Sequence, residues 1–575
     1  MEIYSKSTRL VVAAIQCSST FFCFAFSLKN TWGRLFTYKW RGGSLISYKA
    51  PTCLLLKKDF TESLIGYEAE DKYLELEDGN NDYHFFKHFS TILHQSDIKQ
   101  HTLCCDVTGR SLKAILVLEH FIRCIKKIVY QWIEAGILGI HEDDIDYVFT
   151  VPTTGGENAK LIMREAAVNA GIKREYLTIV LESEAASIYC QYLKFAKDDA
   201  SSPVLGVVKP GTKYMLVHLG SSRANITVHQ KCEDNTLDEV FPTRIGPWAA
   251  TSVDDQIQRF LSELVKEKIW EGFKTEYMED YLEFTRVLEE LIQTVRPDKR
   301  GTTRLTIPFS LVKICTKSHG VKNFKEVVEK NDAYKNNVSF NSGKLLLNND
   351  FFRGFFKKTI DGIVKHMDEI FQESRANDVK IIVMVGCFSE CPLVQDAVRK
   401  NFSNYYIIVP EGGSTAVLEG AVYFGHIPDA VSRRSAKYTY GFQTWPEFNE
   451  DIHPEEKRVQ YEKLSRCRDV FLKIVTKGDK IMTGFTKSQI FRVSCNRDNV
   501  LECGLFISEK KNPIFVDEPD CKLLGTLQVP FSQSNQNSNT LVEEKLVFGI
   551  TELIFTAEDI YSGLKYEINF DLQEV

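Results

Sequence analysis

No two cysteines of the fifteen stand at the C-x-x-C spacing of a zinc or redox motif. Cys104-Cys105, Cys387/Cys391 and Cys495/Cys503 are not such pairs, so free thiols in a reducing, cytoplasmic compartment are expected. Positive charge is also short. Lys and Arg number 71 against 77 Asp and Glu, a net charge of −6, which leaves no basic stripe for nucleic acid. No stretch supplies the ~20 uninterrupted apolar residues of a spanning helix, so no membrane span is expected. There is no short-period repeat, which excludes a solenoid.

One stretch imitates an anchor. Leu10–Leu28 is apolar and follows Lys6 and Arg9, as a signal peptide or short anchor would. Gln16-Cys17-Ser18-Ser19-Thr20 interrupts it with polar atoms that are costly at mid-bilayer. Two strands around a turn fit the same residues and are the preferred reading.

What is present is ordinary globular material, 43% apolar and 26% charged, long enough at 575 residues for two to four domains. The organising stretch is Lys213–Gln230. The apolar run Tyr214–Val217, the small turn Gly220-Ser221-Ser222 and the alternating Ile226/Val228 read as a β-hairpin. A phosphate-gripping turn would use several glycines, because a Cβ keeps backbone N–H groups off the oxygens. Here one glycine is followed by two serines and Arg223.

Short strands are expected over 35–56 and an amphipathic helix over Ser111–Ala135. Strands and helices then alternate: strand Ile145–Val151, helix Asn158–Ala170, strand Leu177–Leu181, and a helix capped by Ser183 and running to Leu193. After the hairpin come helices Val253–Ile269 and Phe284–Val295, strand Arg304–Phe309, helix Phe352–Ser374 and strand Lys380–Val385. Pro392 opens a further helix, Tyr405–Val409 is a strand, and helix Thr415–Tyr423 has a small side of Ala416, Gly420 and Ala421 suited to close packing. Past Tyr440 the strong helices cease. Strands are expected at Val470–Val475, Gln489–Ser494, Leu546–Phe555 and Tyr566–Leu572, with a polar loop at Ser532–Thr540.

Several segments resemble the 70-kDa heat-shock protein superfamily, and within it the divergent heat-shock 70-kDa protein 12 subfamily. They are Val148–Pro152 (VFTVP), Met163–Ala167 with Ala170-Gly171, Leu181–Cys190 (LESEAASIYC), Val385–Gln395 (VGCFSECPLVQ), Val409–Gly413 through Gly425-His426, and Arg433-Arg434-Ser435 with Tyr438–Gly441. They occur in the family's order over residues 10–441. Glu552–Phe570 is weakly similar to a hairpin of the family's β domain, and no long helical lid follows it.

The resemblance implies a two-lobed, actin-like (ribonuclease-H-like) α/β nucleotide-binding domain over 1–441. Lobe I would take 1–208 and 415–441, lobe II 209–414, and a β-rich domain, a reduced substrate-binding module, 442–575. It implies ATP or ADP held by Gln16, Ser18, Ser19 and Thr20 of the first hairpin, by Gly220, Ser221, Ser222 and Arg223 of the second, and by Gly386, Cys387 and Ser389 of the adenosine loop. Where the family has acids, this chain has Gln16, His218 and Asn225; where it has the catalytic lysine, this chain has Glu70, whose charge would oppose a γ-phosphate. An amide cannot orient magnesium waters as a carboxylate does, so no metal site is assigned.

The resemblance thus implies a heat-shock-like pseudo-ATPase or weak nucleotide binder, acting in the stress response through contacts with other proteins. The alternatives are an ATP-driven chaperone and, on the same fold, a sugar kinase or filament protein. A kinase needs a catalytic Asp in the second lobe, and none stands out.

Individual residues carry paired readings. Glu182 is either a surviving water-positioning catalytic carboxylate or a charge at a helix N-terminus, the latter preferred. Arg223 is either a cation holding a phosphate without magnesium or an exposed turn residue. His218 is either a titrating cleft histidine or simply a hydrogen-bonded one. His84 and His88 stand at helical spacing, with His94 and His101 nearby, but no acid or thiol completes a zinc set. Cys17 and Cys23 are expected to be buried and unreactive.

Overall fold

The computed structural model describes residues 9–42, 45–76, 82–95, 98–192, 210–233, 236–427, 433–436, 438–461, 464–482, 485–493, 500–530, 540–548 and 552–571. Lys6, Leu193, Ser494, Cys495, Ser532–Asn539 and Leu572, named above, lie outside them. The chain divides into two compact units. The first is built from the chain up to Gly155, Ile162–Glu233 and Val240–Ile427; the second from Gly156–Leu161, Asp234–Glu239 and the chain from Pro428 onward.

The first unit contains two sheets with the same plan. In one, β1 (Val11–Cys17) and β2 (Phe21–Leu28) form a hairpin, and β3 (Ile145–Val151) and β4 (Leu177–Leu181) extend it in parallel, giving the order β4-β3-β1-β2. In the other, the hairpin of β5 (Lys213–Leu219) and β6 (Ala224–Lys231) is extended by β7 (Ile381–Val385) and β8 (Tyr406–Ile408), giving β8-β7-β5-β6. Strands covered on both faces are apolar throughout. Val11 to Ile15 are fully buried, each Val or Ile side chain worth about 1.5–3 kcal/mol. Leu10–Leu28 is therefore a hairpin, as the polar interruption suggests. Among the described residues no helix is long and apolar enough to cross a membrane.

Helix α1 (Gly66–Glu75) follows a short strand, and α2 (Ala114–Gly136) turns Trp132 onto Phe24 and Phe26 of β2, with ring centroids 5.5 and 4.8 Å apart. Residues 111–113, expected to be helical, form a strand instead. Helix α3 (Gly156–Asn169) precedes β4, and α4 (Glu182–Gln191) follows it. The expected cap of α4 needs correction. Ser183 lies inside the first turn, and Glu184 reaches back to accept the Leu181 N–H at 3.2 Å. An acid at the third helical position satisfies the N–H of the residue that precedes the helix, the acid's half of a capping box. Ser183 Oγ pairs instead with Thr153 Oγ1 at 3.0 Å.

The expected helix Val253–Ile269 is two helices, α5 (Ala250–Val265) and α6 (Glu267–Glu276), broken where Lys266 takes φ +82°. Buried Leu264, Val265 and Trp270 continue the apolar pattern across the break, so periodicity conceals it. Helices α7 (Met278–Gln293) and α8 (Asn349–Phe371) complete the cover of the second sheet, whose core joins Val217 and Ile226 to Val253, Phe356 and Ile363. Phe309 opens a helix rather than closing a strand, after Pro308. Pro392 begins α9 (Pro392–Asn401) as expected. Helix α10 (Ala416–His426) packs closely on α4: a Cβ on Gly420 would lie 1.8 Å from the Ala185 carbonyl oxygen.

The second unit is a β-sandwich. One sheet has the order β10-β9-β12-β13, from β9 (Thr439–Thr444), β10 (Val470–Val475), β12 (Val500–Ser508) and β13 (Cys521–Pro530). The other has β11-β14-β15-β16, from β11 (Phe485–Val493), β14 (Thr540–Phe548), β15 (Glu552–Asp559) and β16 (Lys565–Asp571). The expected strand Leu546–Phe555 is the end of β14 and the start of β15, paired antiparallel. Facing sheets share one core, in which Phe442 stacks on Phe555 at 5.5 Å.

Candidate functional site

The two hairpins of the first unit end in matching tight turns. The Ser18 N–H donates to the Phe21 carbonyl at 2.8 Å, and the Gly220 N–H to the Arg223 carbonyl at 3.0 Å. These turns touch through their hydroxyls. Ser18 Oγ lies 3.0 Å from Ser221 Oγ, and Ser19 Oγ 3.0 Å from Ser222 Oγ. Thr52 and Ser90 hydroxyls donate to the Ser18 carbonyl at 2.9 and 2.7 Å, fixing the first turn from behind. His94 joins the array, with Nε2 2.9 Å from Ser19 Oγ and Nδ1 2.7 Å from Thr154 Oγ1.

Beside these rungs lies a cavity of about 20 Å³, lined by Gln16, Ser18, Phe21, His94, Glu182 and His218, by Gly220 to Arg223, and by Gly386, Cys387 and Ser414. That volume holds about one water molecule. Gly386 closes it at φ +95°. Any Cβ there would come within 2.3 Å of the Leu219 carbonyl oxygen and 2.8 Å of His218 Cδ2, so only glycine fits.

Several expected site residues thus converge: Gln16, Ser18, Glu182, Gly220, Ser221, Ser222, Arg223, Gly386 and Cys387. Ser19 sits in the adjoining rung. Thr20 and Ser389 do not line the cavity: Thr20 meets the Thr52 N–H through its carbonyl, and Ser389 Oγ donates to the Gly386 carbonyl at 2.6 Å. Glu70 is elsewhere too. Its carboxylate is 2% exposed and pairs with Arg286, whose guanidinium lies 5.1 Å from the Tyr67 ring. The charge expected to repel a phosphate is neutralised there instead.

The histidine quartet is corrected as well. His84 is on a strand and 2.8 Å from Asp106, while His88 takes a left-handed φ of 51° and donates to the Ser19 carbonyl, so the two share no helix. No group of three metal-ligating side chains occurs among the described residues. His94, Phe21, Ser414 and Arg286 are site or flanking residues that sequence reasoning did not assign. None follows from spacing along an element; all depend on which loops meet.

Electrostatically the cavity is poor in anions. Burial alone pushes Glu182 up to about 7, with no hydrogen bond or cation opposing it. Burial holds His218 down to about 4, and burial with the Arg223 charge does the same to His94, so both are neutral at pH 7. Gln16 spends its carbonyl on the Cys23 thiol at 3.6 Å. Burial drives Cys17 and Cys23 up to about 12, as buried, unreactive thiols. Magnesium asks for several hard, charged oxygens in an octahedron. One carboxyl, left about half protonated at pH 7 by its burial, among hydroxyls, an amide and neutral imidazoles does not fit it. The array is instead rich in donors, with one guanidinium.

Comparison with known proteins agrees with the motif reading and extends it. The chain is 26% identical to mouse heat shock 70 kDa protein 12A over 630 aligned residues, covering 99% of this chain and 92% of that protein. The human 12A protein gives the same figures, and human heat shock 70 kDa protein 12B is 25% identical over 98% of this chain and 91% of its own. No family model matches. The resemblance to the heat shock 70 kDa protein 12 subfamily therefore does not stop near residue 441; it runs through the β-sandwich.

Proposed function

We propose that this divergent heat-shock-70-like chain is a pseudo-ATPase that works through contacts with other proteins. On this reading residues 1–441 form the two-lobed actin-like domain and 442–575 the reduced substrate-binding module. The observation that carries it is the pair of hydroxyl rungs, Ser18–Ser221 and Ser19–Ser222, lying between the two turns that would otherwise grip phosphates. Magnesium lacks its carboxylates there, and a water-sized cavity has no room for a triphosphate. The Glu70–Arg286 pair joins residues 216 positions apart in sequence and supports the same closed state.

Phosphate release from ATP in magnesium, measured on the full chain, tests this. Release no faster than the buffer background is expected; turnover at the rate of an ordinary ATP-driven chaperone would end the reading. The retained Gly220, Gly386 and Glu182 favour the second reading, an ATP-driven chaperone. Its signature is release of a bound unfolded peptide on adding ATP, and none is expected.

A further inference from the structure

We propose that the hairpin formed by Trp40–Gly42 and Leu45–Ser47 in the first unit docks on a membrane surface that carries anionic lipid. The inference is independent of what the cleft does.

The net charge of −6 conceals a local surplus of the opposite sign. From residue 3 to residue 58 there are nine Lys and Arg and no Asp or Glu. Charge so unevenly spread along a chain points to an anionic partner for that part of it. Two of these cations are engaged: the Arg9 guanidinium lies 4.1 Å from the centre of the Tyr176 ring, and Lys57 pairs with Asp59 at 3.3 Å. Lys39 and Arg41 are exposed and meet no carboxylate among the described residues.

The hairpin sorts its side chains to two sides. Trp40 faces Ser47 across the ladder, and Arg41 faces Ile46. Neighbours along a strand point to opposite sides. Trp40 is 8% exposed and points inward, its ring 4.9 Å from that of Phe22 and 4.8 Å from that of Tyr38. A Cβ on Gly42 would meet the Tyr67 ring at 2.4 Å, so this strand lies flat on its support. Arg41 and Ile46 therefore point outward. Lys39 and Tyr48 flank them, with Lys39 Nζ 5.6 Å from the centre of the Tyr48 ring. Ile46 is 62% exposed and Tyr48 46%. The outer side thus carries two cations in one row and an aliphatic and an aromatic group in the next.

Size, chemistry and charge favour a membrane as the occupant. Two rungs of a ribbon span about 7 Å by 5 Å, far less than the ~800 Å² that each partner gives to a stable protein interface. A lipid surface needs no matching shape, and its hold grows with each cation and each apolar group that leaves water. Tyr, Lys and Arg join an apolar body to a polar end, as the boundary between headgroups and hydrocarbon requires, and Ile46 reaches the apolar side of it. The acid surplus in the rest of the chain turns other surfaces away from an anionic leaflet, so the approach is oriented. Among the described residues no helix can cross a membrane, so the association is peripheral.

The test is sedimentation of the full chain with vesicles of phosphatidylcholine alone and of phosphatidylcholine mixed with phosphatidylserine. Binding to the mixed vesicles only is expected, and high salt should reverse it. Lys39→Ala with Arg41→Ala should weaken it at least about tenfold, since each cation near an anionic surface contributes about fivefold. Ile46→Ser should weaken it roughly fivefold, less than full burial of an isoleucine would give. Lys313→Ala with Lys317→Ala removes the same charge from exposed positions of the helix Phe309–His319 and should change little. Tyr48→Trp should show a blue shift of emission on the mixed vesicles beyond that of the parent. The proposal is overturned if the mixed vesicles do not bind, if phosphatidylcholine alone binds as well, or if the two double variants weaken binding alike. Vesicle binding that leaves the Tyr48→Trp emission unmoved would place the contact on another face and overturn it too. Retention on immobilised polyglutamate without vesicle binding would give the face to an acidic protein instead.

Discussion

Glu182 in the cleft and Glu544 in the β-sandwich are both buried carboxyls, and burial raises both, to about 7 and about 8. Their settings differ. Glu182 opens onto a cavity beside Arg223 and two hydroxyl rungs. Glu544 sits on β14 with 4% of its surface exposed. Its neighbour is the Cys503 thiol, and Oε2 has no hydrogen-bond partner. A raised carboxyl is therefore not a mark of a site by itself. What distinguishes Glu182 is the company of groups that can meet a ligand. Glu70 supplies the third case, a buried carboxylate paired with the guanidinium of Arg286.

The largest effect expected is at Glu544. Its unfolded form loses a proton near 4.5 while the folded form keeps it to about 8, so the unfolded state binds fewer protons between those values and stability falls as pH rises. Glu544→Gln should raise stability by up to about 3 kcal/mol at pH 7 and by nothing at pH 4, read from urea unfolding at both. An equal gain at both pH values would show that packing, not ionisation, is the cause. Next, Arg286→Ala should lower stability by about 2 kcal/mol, since it strands the Glu70 charge, and Glu70→Gln in the same chain should restore most of it; the arginine's partial exposure keeps this below a fully buried pair.

Glu182→Gln should follow the sign of Glu544→Gln, with a gain of about 1–2 kcal/mol at pH 8 that vanishes at pH 4. The gain is smaller because its cavity admits a water to share the charge. If it exceeds the gain at Glu544, the contrast between the two settings fails. Smallest are the rungs. Ser18→Ala should cost about 1 kcal/mol by orphaning Ser221, while Ser18→Ala with Ser221→Ala should be nearly neutral, in the same unfolding measurement.

Much of this was legible in the sequence. Hairpins, apolar strands and the close helix contact at Gly420 follow from local pattern, because alternation and small faces are one-dimensional signals. The convergence of Gln16, Gly220, Arg223 and Gly386 came from motif order rather than from periodicity. What stayed hidden depends on distance in space. Nothing near residue 70 announces Arg286, and nothing in the serines announces that they meet each other. The break at Lys266 and the separation of β14 from β15 were hidden for another reason: apolar residues stand on both sides of each.

The repeated strand plan of the first unit has a practical corollary. Each sheet delivers its tight turn from the end of its leading strand, so the gap between the turns reduces to one length, Ser18 to Ser221, at 3.0 Å between hydroxyl oxygens. A pair of spectroscopic labels on the strands behind them would work as a ruler, reporting every widening of that gap by any ligand or partner as a single number.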